Sequence, residues 1–168
     1  EEHDIRDLVR DGQDIVVQVV KDPIGTKGAR LTTDITIPSR YLVFMPSVTH
    51  VGVSQRIEDE AERERLKELV SAFCDEDGGF ILRTAAEGVS HPEVAADADF
   101  LRRLWSKIQQ RLKRRKSHVL YEDLPLARRV LRDFVGTELD CIRIDSKLSY
   151  QELSQFTKEY VPEMNRKL

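Results

Sequence analysis

The residues best suited to chemistry are cations placed to meet phosphate. Between Phe100 and Lys116 stand Arg102, Arg103, Lys107, Arg111, Lys113, Arg114, Arg115 and Lys116, with no acid among them. Eight positive charges in 17 residues attract phosphates by releasing counterions, most strongly at low salt. The same run also suits a solvated helix whose final cations complement its dipole. A second candidate is Arg83-Thr84, at the exit of the apolar segment Phe80-Ile81-Leu82 and followed by the small residues Ala85, Ala86 and Gly88. A guanidinium fork beside a hydroxyl can hold one phosphate, and small neighbours leave room for a ligand. The alternative is an ordinary surface ion pair. A third is Gly25-Thr26-Lys27-Gly28, a lysine flanked by glycines that lacks the GxxxxGK[ST] frame of a P-loop. The histidines His3, His50, His91 and His118 are scattered, with no metal spacing and no nucleophile motif. Asp145 ends an apolar run where a metal-binding acid could stand, but no partner acid is identifiable, so it reads as a cap or a salt bridge. These residues alone describe a phosphate-binding module without a visible active site.

The elements that must position them follow from periodicity. Ile15–Val20 is β-branched and strand-like, and Asp22–Gly28 is a turn. From Ala29 the alternation of Leu31, Thr33, Ile35 and Ile37 with polar residues predicts a half-buried strand. Pro38-Ser39 interrupts it, and strands are expected at Arg40–Met45, Val51–Val53, Phe80–Leu82, Val119–Tyr121 and Cys141–Asp145. Helical spacing covers Glu58–Phe73. Ser90 with Glu93 forms a capping box ahead of a long helix whose stripe is Phe100, Leu101, Leu104, Trp105, Ile108 and Leu112. Leu126–Val135, ended by Gly136, and a last helix to about Tyr160, capped by Ser149 with Glu152, complete the reading. The class is α+β, with boundaries best placed at Pro38-Ser39 and near Asp123-Leu124-Pro125.

Composition narrows the function. The 168 residues are 34% charged and 40% hydrophobic, and no run of about 18 apolar residues exists, so no membrane span is expected. Cys74 and Cys141 stand far apart without ligand spacing, which argues for a reducing, cytoplasmic setting. The net charge of −3 argues at first against nucleic acid, but the eight cations of the Phe100–Lys116 run leave −11 on the remainder, so the charge is sharply divided. The chain begins Glu1-Glu2-His3, without an initiator Met or a signal peptide, and reads as a piece of a longer protein.

The strings Lys21–Asp34 and Pro38–Pro46, with Gly52-Val53-Ser54-Gln55-Arg56-Ile57, Gly79–Ala85 and Arg129–Phe134 in order, closely resemble the bacterial ribonuclease E/G family, especially its G branch. The resemblance covers essentially the whole chain. It implies that residues 1–33 are the C-terminal part of an OB-type RNA-binding barrel, residues 34–127 a mixed sheet-and-helix 5′-sensor subdomain, and residues 128–168 part of an RNase H-like α/β subdomain. It implies that Arg83 and Thr84 bind the 5′-monophosphate of RNA, with the backbone at Val43 assisting. Ser39 would then lie at the terminal base and Lys27 along the RNA path. The implied partner is single-stranded RNA with a 5′-monophosphate. The parent is implied to be a homo-oligomeric, Mg²⁺-dependent endoribonuclease of rRNA maturation and mRNA decay, with catalytic aspartates and a zinc-link downstream of Leu168 and no catalytic or metal residue in this chain. The alternative class is a non-catalytic module that docks a protein through the Phe100–Leu112 helix.

Overall fold

The computed structural model describes residues 4–74, 78–114, 119–134 and 139–168, and divides into two compact units, Glu1–Thr36 and Ile37–Leu168. Arg115, Lys116, His3, His118 and Gly136 lie outside the described residues.

In the first unit a short helix, α1 (Ile5–Leu8), precedes an antiparallel hairpin of β1 (Gln18–Lys21) and β2 (Arg30–Thr32), with Val19 opposite Leu31. Lys21 pairs with Arg30 after a register shift. The Gln18 side chain ties the ribbon to Thr36, accepting from its N–H at 2.8 Å and donating to its carbonyl at 2.9 Å. The expected half-buried strand from Ala29 is shorter and more open. Leu31 is 52% exposed and Val19 55%, because a two-stranded ribbon has no second layer within this unit to cover its apolar face.

The second unit is built on a four-stranded sheet of β3 (Ile37–Pro38), β4 (Leu42–Met45), β5 (Val51–Val53) and β6 (Gly79–Leu82), in the spatial order β3-β4-β6-β5. β4 is antiparallel to β3 and β6, while β5 is parallel to β6. A parallel pair needs a crossover, and α2 (Glu60–Ser71) supplies it, capped by Asp59, whose carboxylate accepts from the Ala61 N–H. Helix α3 (His91–Arg114) runs 24 residues, about 36 Å. Both the N–H and the hydroxyl of Ser90 donate to Glu93, as the capping-box spacing predicts. The core lies between sheet and helices. Leu42, Phe44, Phe80, Leu82, Leu66, Val70, Leu101 and Leu104 are buried, and the Phe44 ring meets Phe80 at 5.2 Å and Trp105 at 6.1 Å.

Helices α4 (Leu126–Asp133) and α5 (Lys147–Tyr160) pack together, and Phe156 and Tyr160 set their rings against Phe100. Here three expectations fail. Val119–Tyr121 forms no strand, and neither does Cys141–Asp145. Short β-branched segments become strands only when an edge accepts them, and the Ile142 N–H instead donates to the Lys167 carbonyl at 2.6 Å. The cap of α5 is Ser146, whose hydroxyl accepts from the Ser149 N–H, so the cap lies three residues before the expected Ser149 and Asp145 is not its cap.

β6 begins where the backbone leaves no room. A Cβ on Gly79 would stand 2.3 Å from the His50 carbonyl oxygen and 2.6 Å from that of Val48. These are main-chain atoms that cannot swing aside. Gly79→Ala is therefore expected to cost about 1–3 kcal/mol or more, measured as a lowered urea midpoint. An unchanged midpoint would show that the Val48–His50 loop yields freely.

Candidate nucleic-acid interface

Strand β6 delivers Arg83 and Thr84 to its exposed end. The Arg83 N–H donates to the Tyr41 carbonyl at 2.8 Å, extending the β4–β6 pairing by one residue. Thr84 opens a single 3₁₀ turn, Thr84–Ala86, and its hydroxyl lies 3.4 Å from that of Ser54. Both side chains are exposed. The Arg83 guanidinium donates to the Ser39 carbonyl and, at 3.5 Å, to that of Arg40. Its fork is thereby held over the Ser39–Leu42 turn that joins β3 to β4, which the Ser39 N–H closes on the Leu42 carbonyl.

That turn is fixed from below by a residue sequence reasoning missed. Asp97, on the inner face of α3 and 6% exposed, accepts from the Ser39 hydroxyl at 2.6 Å and from the N–H groups of Tyr41 and Leu42 at 2.9 Å each. Burial pushes its carboxyl above the usual carboxylate range, against these hydrogen bonds and the charge of Arg132. Use of both oxygens as acceptors fits the ionised form. From α4, the largely buried Arg132 donates to Asp133 at 2.7 Å and to the Pro38 carbonyl at 3.4 Å, and Arg40 donates to the Asp133 carbonyl. A signal for Asp97 existed: an acid in register with the apolar positions Val94, Ala98 and Leu101.

The segment after Thr84 is latched to α2. Gly88, at φ +71°, turns the chain and presents its N–H to Glu62 at 2.8 Å. Arg65 binds Glu62 through both carboxylate oxygens and donates to the Val89 carbonyl at 3.1 Å. The Arg65 hydrogen bonds, then the Gly88 N–H, hold the Glu62 carboxyl down to about 2, against an ordinary glutamate value of 4.5. A depressed carboxyl contributes stability above its unfolded value that is lost as pH falls through the folded one. Glu62→Gln is thus expected to be less stable than wild type near neutrality, with the gap closing between pH 4.5 and about 2. Urea midpoints across that range test this, and a gap independent of pH would contradict it.

The other expected residues are placed as follows. Ser39 is fully buried, with its hydroxyl committed to Asp97. Its carbonyl accepts from the Arg83 guanidinium. Val43 sits in β4 opposite Pro38 and Ile81, two residues before Arg83 on the neighbouring strand. Lys27 belongs to the first unit, where its N–H and carbonyl pair with Ile24 around Gly25-Thr26, and its side chain is exposed.

Much of the basic run of α3 is tied to this chain's own groups while its side chains stay partly or fully exposed. Arg102 donates to the Phe73 carbonyl, Arg103 to that of Tyr160 and Arg111 to that of Leu120, while Lys107 pairs with Glu159 at 3.0 Å. Its apolar stripe is internal: Phe100, Leu101, Leu104 and Ile108 are buried in this chain's own core. Of the stripe only Leu112, 43% exposed, and the half-buried Trp105 remain outside that core, so most of the Phe100–Leu112 face is not open for docking a protein. No group of three His, Cys, Asp or Glu among the described residues could hold a metal, so no metal-assisted step is derived from them. No described helix is long and apolar enough to cross a membrane.

The mixed fold of sheet and helix comes with clear similarity to known proteins. The model of the Ribonuclease E/G family matches residues 36–168, and the chain belongs to that family. It is 65% identical over 166 residues to the protein named Ribonuclease G from Escherichia coli strain K12, covering 98% of this chain and 34% of that protein. It is 62% identical to Ribonuclease G of Haemophilus influenzae over the same number of residues, and 37% identical over 157 residues to Ribonuclease E of Nostoc sp., of which it covers 23%. The chain thus spans about a third of the length of the ribonuclease G relatives it matches.

Proposed function

We propose that this chain is the RNA-binding, 5′-monophosphate-sensing part of a ribonuclease G-type endoribonuclease of rRNA maturation and mRNA turnover. The observation that carries the reading is the exposed Arg83-Thr84 pair held over a turn that Asp97 locks from inside. A monophosphate carries between one and two negative charges near neutral pH. A fixed guanidinium fork and an adjacent hydroxyl offer it charge-assisted hydrogen bonds that a 5′-hydroxyl end cannot match. Val43 stands behind them in the supporting strand, and Lys27 contributes charge along the RNA from the first unit, which we assign to an OB-type barrel. Residues 34–127 are then the 5′-sensor and residues 128–168 part of an RNase H-like subdomain. The hydrolytic Mg²⁺ and a zinc-link between protomers are assigned to the rest of the parent protein, and the 168-residue chain alone binds RNA without cutting it.

Fluorescence anisotropy tests this with two single-stranded RNAs identical except for a 5′-phosphate or a 5′-hydroxyl. Tighter binding of the phosphorylated RNA, weakening steeply with salt, is expected. Equal affinity for the two ends would refute the proposal.

A further inference from the structure

Along α3, Arg103, Lys107, Arg111 and Arg114 recur at spacings of four, four and three residues, which sets them in one stripe on the helix surface. The helical rise puts neighbouring cations about 6 Å apart, comparable to the separation of successive phosphates in a nucleic-acid strand. Acids answer the first two: Arg103 lies 3.8 Å from Asp99, and Lys107 lies 3.0 Å from Glu159. Among the described residues no ion pair involves Arg111 or Arg114. Arg111 donates to the Leu120 carbonyl at 2.9 Å, a neutral acceptor that leaves its charge uncompensated, and Arg114 is exposed.

A neighbouring helix strengthens the positive side. Arg128 of α4 is half-buried, with its guanidinium 5.8 Å from the centre of the Phe156 ring. Burial, then Glu159, raise the Tyr160 hydroxyl above its ordinary range, and the charges of Arg111, Lys107 and Arg128 oppose that rise. Three cations therefore stand around Tyr160 against the one acid Glu159. Cations in the last turn of a helix also complement its dipole, but that role is indifferent to which side of the helix they occupy. Lys113 shares the last turn and is exposed, yet it lies about 100° around the helix from Arg114, off the stripe.

We propose that this stripe, through Arg111 and Arg114, holds the phosphodiester backbone of a bound RNA downstream of its 5′ end. The inference rests on the reading of the chain as RNA-binding and adds a sequence-independent contact to the end-specific one. Arg83 donates to the Ser39 carbonyl and the Ser39 hydroxyl to Asp97, so the phosphate-binding pair stands near the level of Asp97 on α3. Arg111 and Arg114 follow Asp97 by 14 and 17 residues, about 21–26 Å along the helix axis. A strand stacked at about 3.4 Å per nucleotide covers that distance in about six to eight nucleotides. Contacts of this kind fix the path of a strand and carry no sequence information.

The test is anisotropy across a salt series with 5′-phosphorylated single-stranded RNAs of four and twelve nucleotides, and with the twelve-nucleotide RNA carrying a 5′-hydroxyl. Each phosphate contact on a single strand contributes about 0.7 to the slope of log affinity against log salt. Arg111→Gln combined with Arg114→Gln should therefore make the twelve-nucleotide slope shallower by about 1.4. The four-nucleotide slope and the monophosphate-to-hydroxyl affinity ratio should stay as in wild type. Because Arg111 also braces the Leu120 carbonyl, Arg114→Gln alone is the second variant, with an expected drop of about 0.7. Lys113→Gln removes the same charge from the same turn and should leave the slope unchanged. An unaltered slope in the double variant would overturn the backbone contact, as would an equal drop in Lys113→Gln or with the four-nucleotide RNA. In each of these cases a retained monophosphate preference leaves the 5′-sensor reading standing. If wild type instead shows no such preference, that reading falls, and a twelve-nucleotide slope still lowered by the double variant upholds the backbone contact by itself.

Discussion

Replacement of Arg83 by alanine is expected to abolish the preference for a 5′-monophosphate over a 5′-hydroxyl end. Hydrogen bonds to charged groups contribute about 1.5–3 kcal/mol each, so the affinity ratio should fall by at least about tenfold, toward unity. Affinity for the hydroxylated RNA should change little. Arg83 also braces the Ser39 and Arg40 carbonyls, so Arg83→Lys is the informative companion. It keeps the charge and loses the fork, and an intermediate ratio is expected. Anisotropy titrations of the three proteins against the RNA pair decide the matter. An unchanged ratio in Arg83→Ala would remove Arg83 from the phosphate site.

The second large effect concerns stability. Asp97→Ala leaves the Ser39 hydroxyl and the N–H groups of Tyr41 and Leu42 without their acceptor in a dry interior, facing the buried guanidinium of Arg132. Breaking a buried charge network from one side typically costs about 3–5 kcal/mol. Urea denaturation should show a loss of this size. Asp97→Asn should lose less, because its amide oxygen still accepts while its NH₂ opposes a donor. In whatever folded population remains, the turn beneath Arg83 is released, so the 5′-phosphate preference should weaken although Asp97 touches no RNA. A loss under about 1 kcal/mol would show that solvent or Arg132 rearrangement replaces these bonds.

What the sequence disclosed depended on how local the cause was. The long helix, its Ser90–Glu93 box and the strand entering Arg83 follow from periodicity and capping within a few residues of one another. So did the pairing of Arg83 with Thr84, which needs only a strand to end between them and the small residues behind. Val119–Tyr121 and Cys141–Asp145 have strand composition, but pairing depends on an edge that no local pattern reports. The role of Asp97 is non-local in the same sense. The turn it holds lies more than 50 residues earlier in the chain, and its placement in an apolar stripe shows only that the acid is buried, not which donors it meets. Ser39 is a further non-local case. Its place at the terminal base came only from the resemblance, and no local pattern reports that its hydroxyl is committed inward to Asp97. The basic run on α3 left two readings open, because a count of charges does not reveal which cations also serve carbonyls of their own fold.

The most direct test of the central claim is a pair of ¹H–¹⁵N correlation titrations with one short single-stranded RNA, carrying first a 5′-monophosphate and then a 5′-hydroxyl. The account predicts that the phosphate selectively shifts the amides of Arg83, Thr84 and Ala85 and of the Ser39–Leu42 turn. Identical shifts for the two RNAs, or phosphate-dependent shifts confined to Arg111–Arg114 at the end of α3, would contradict it.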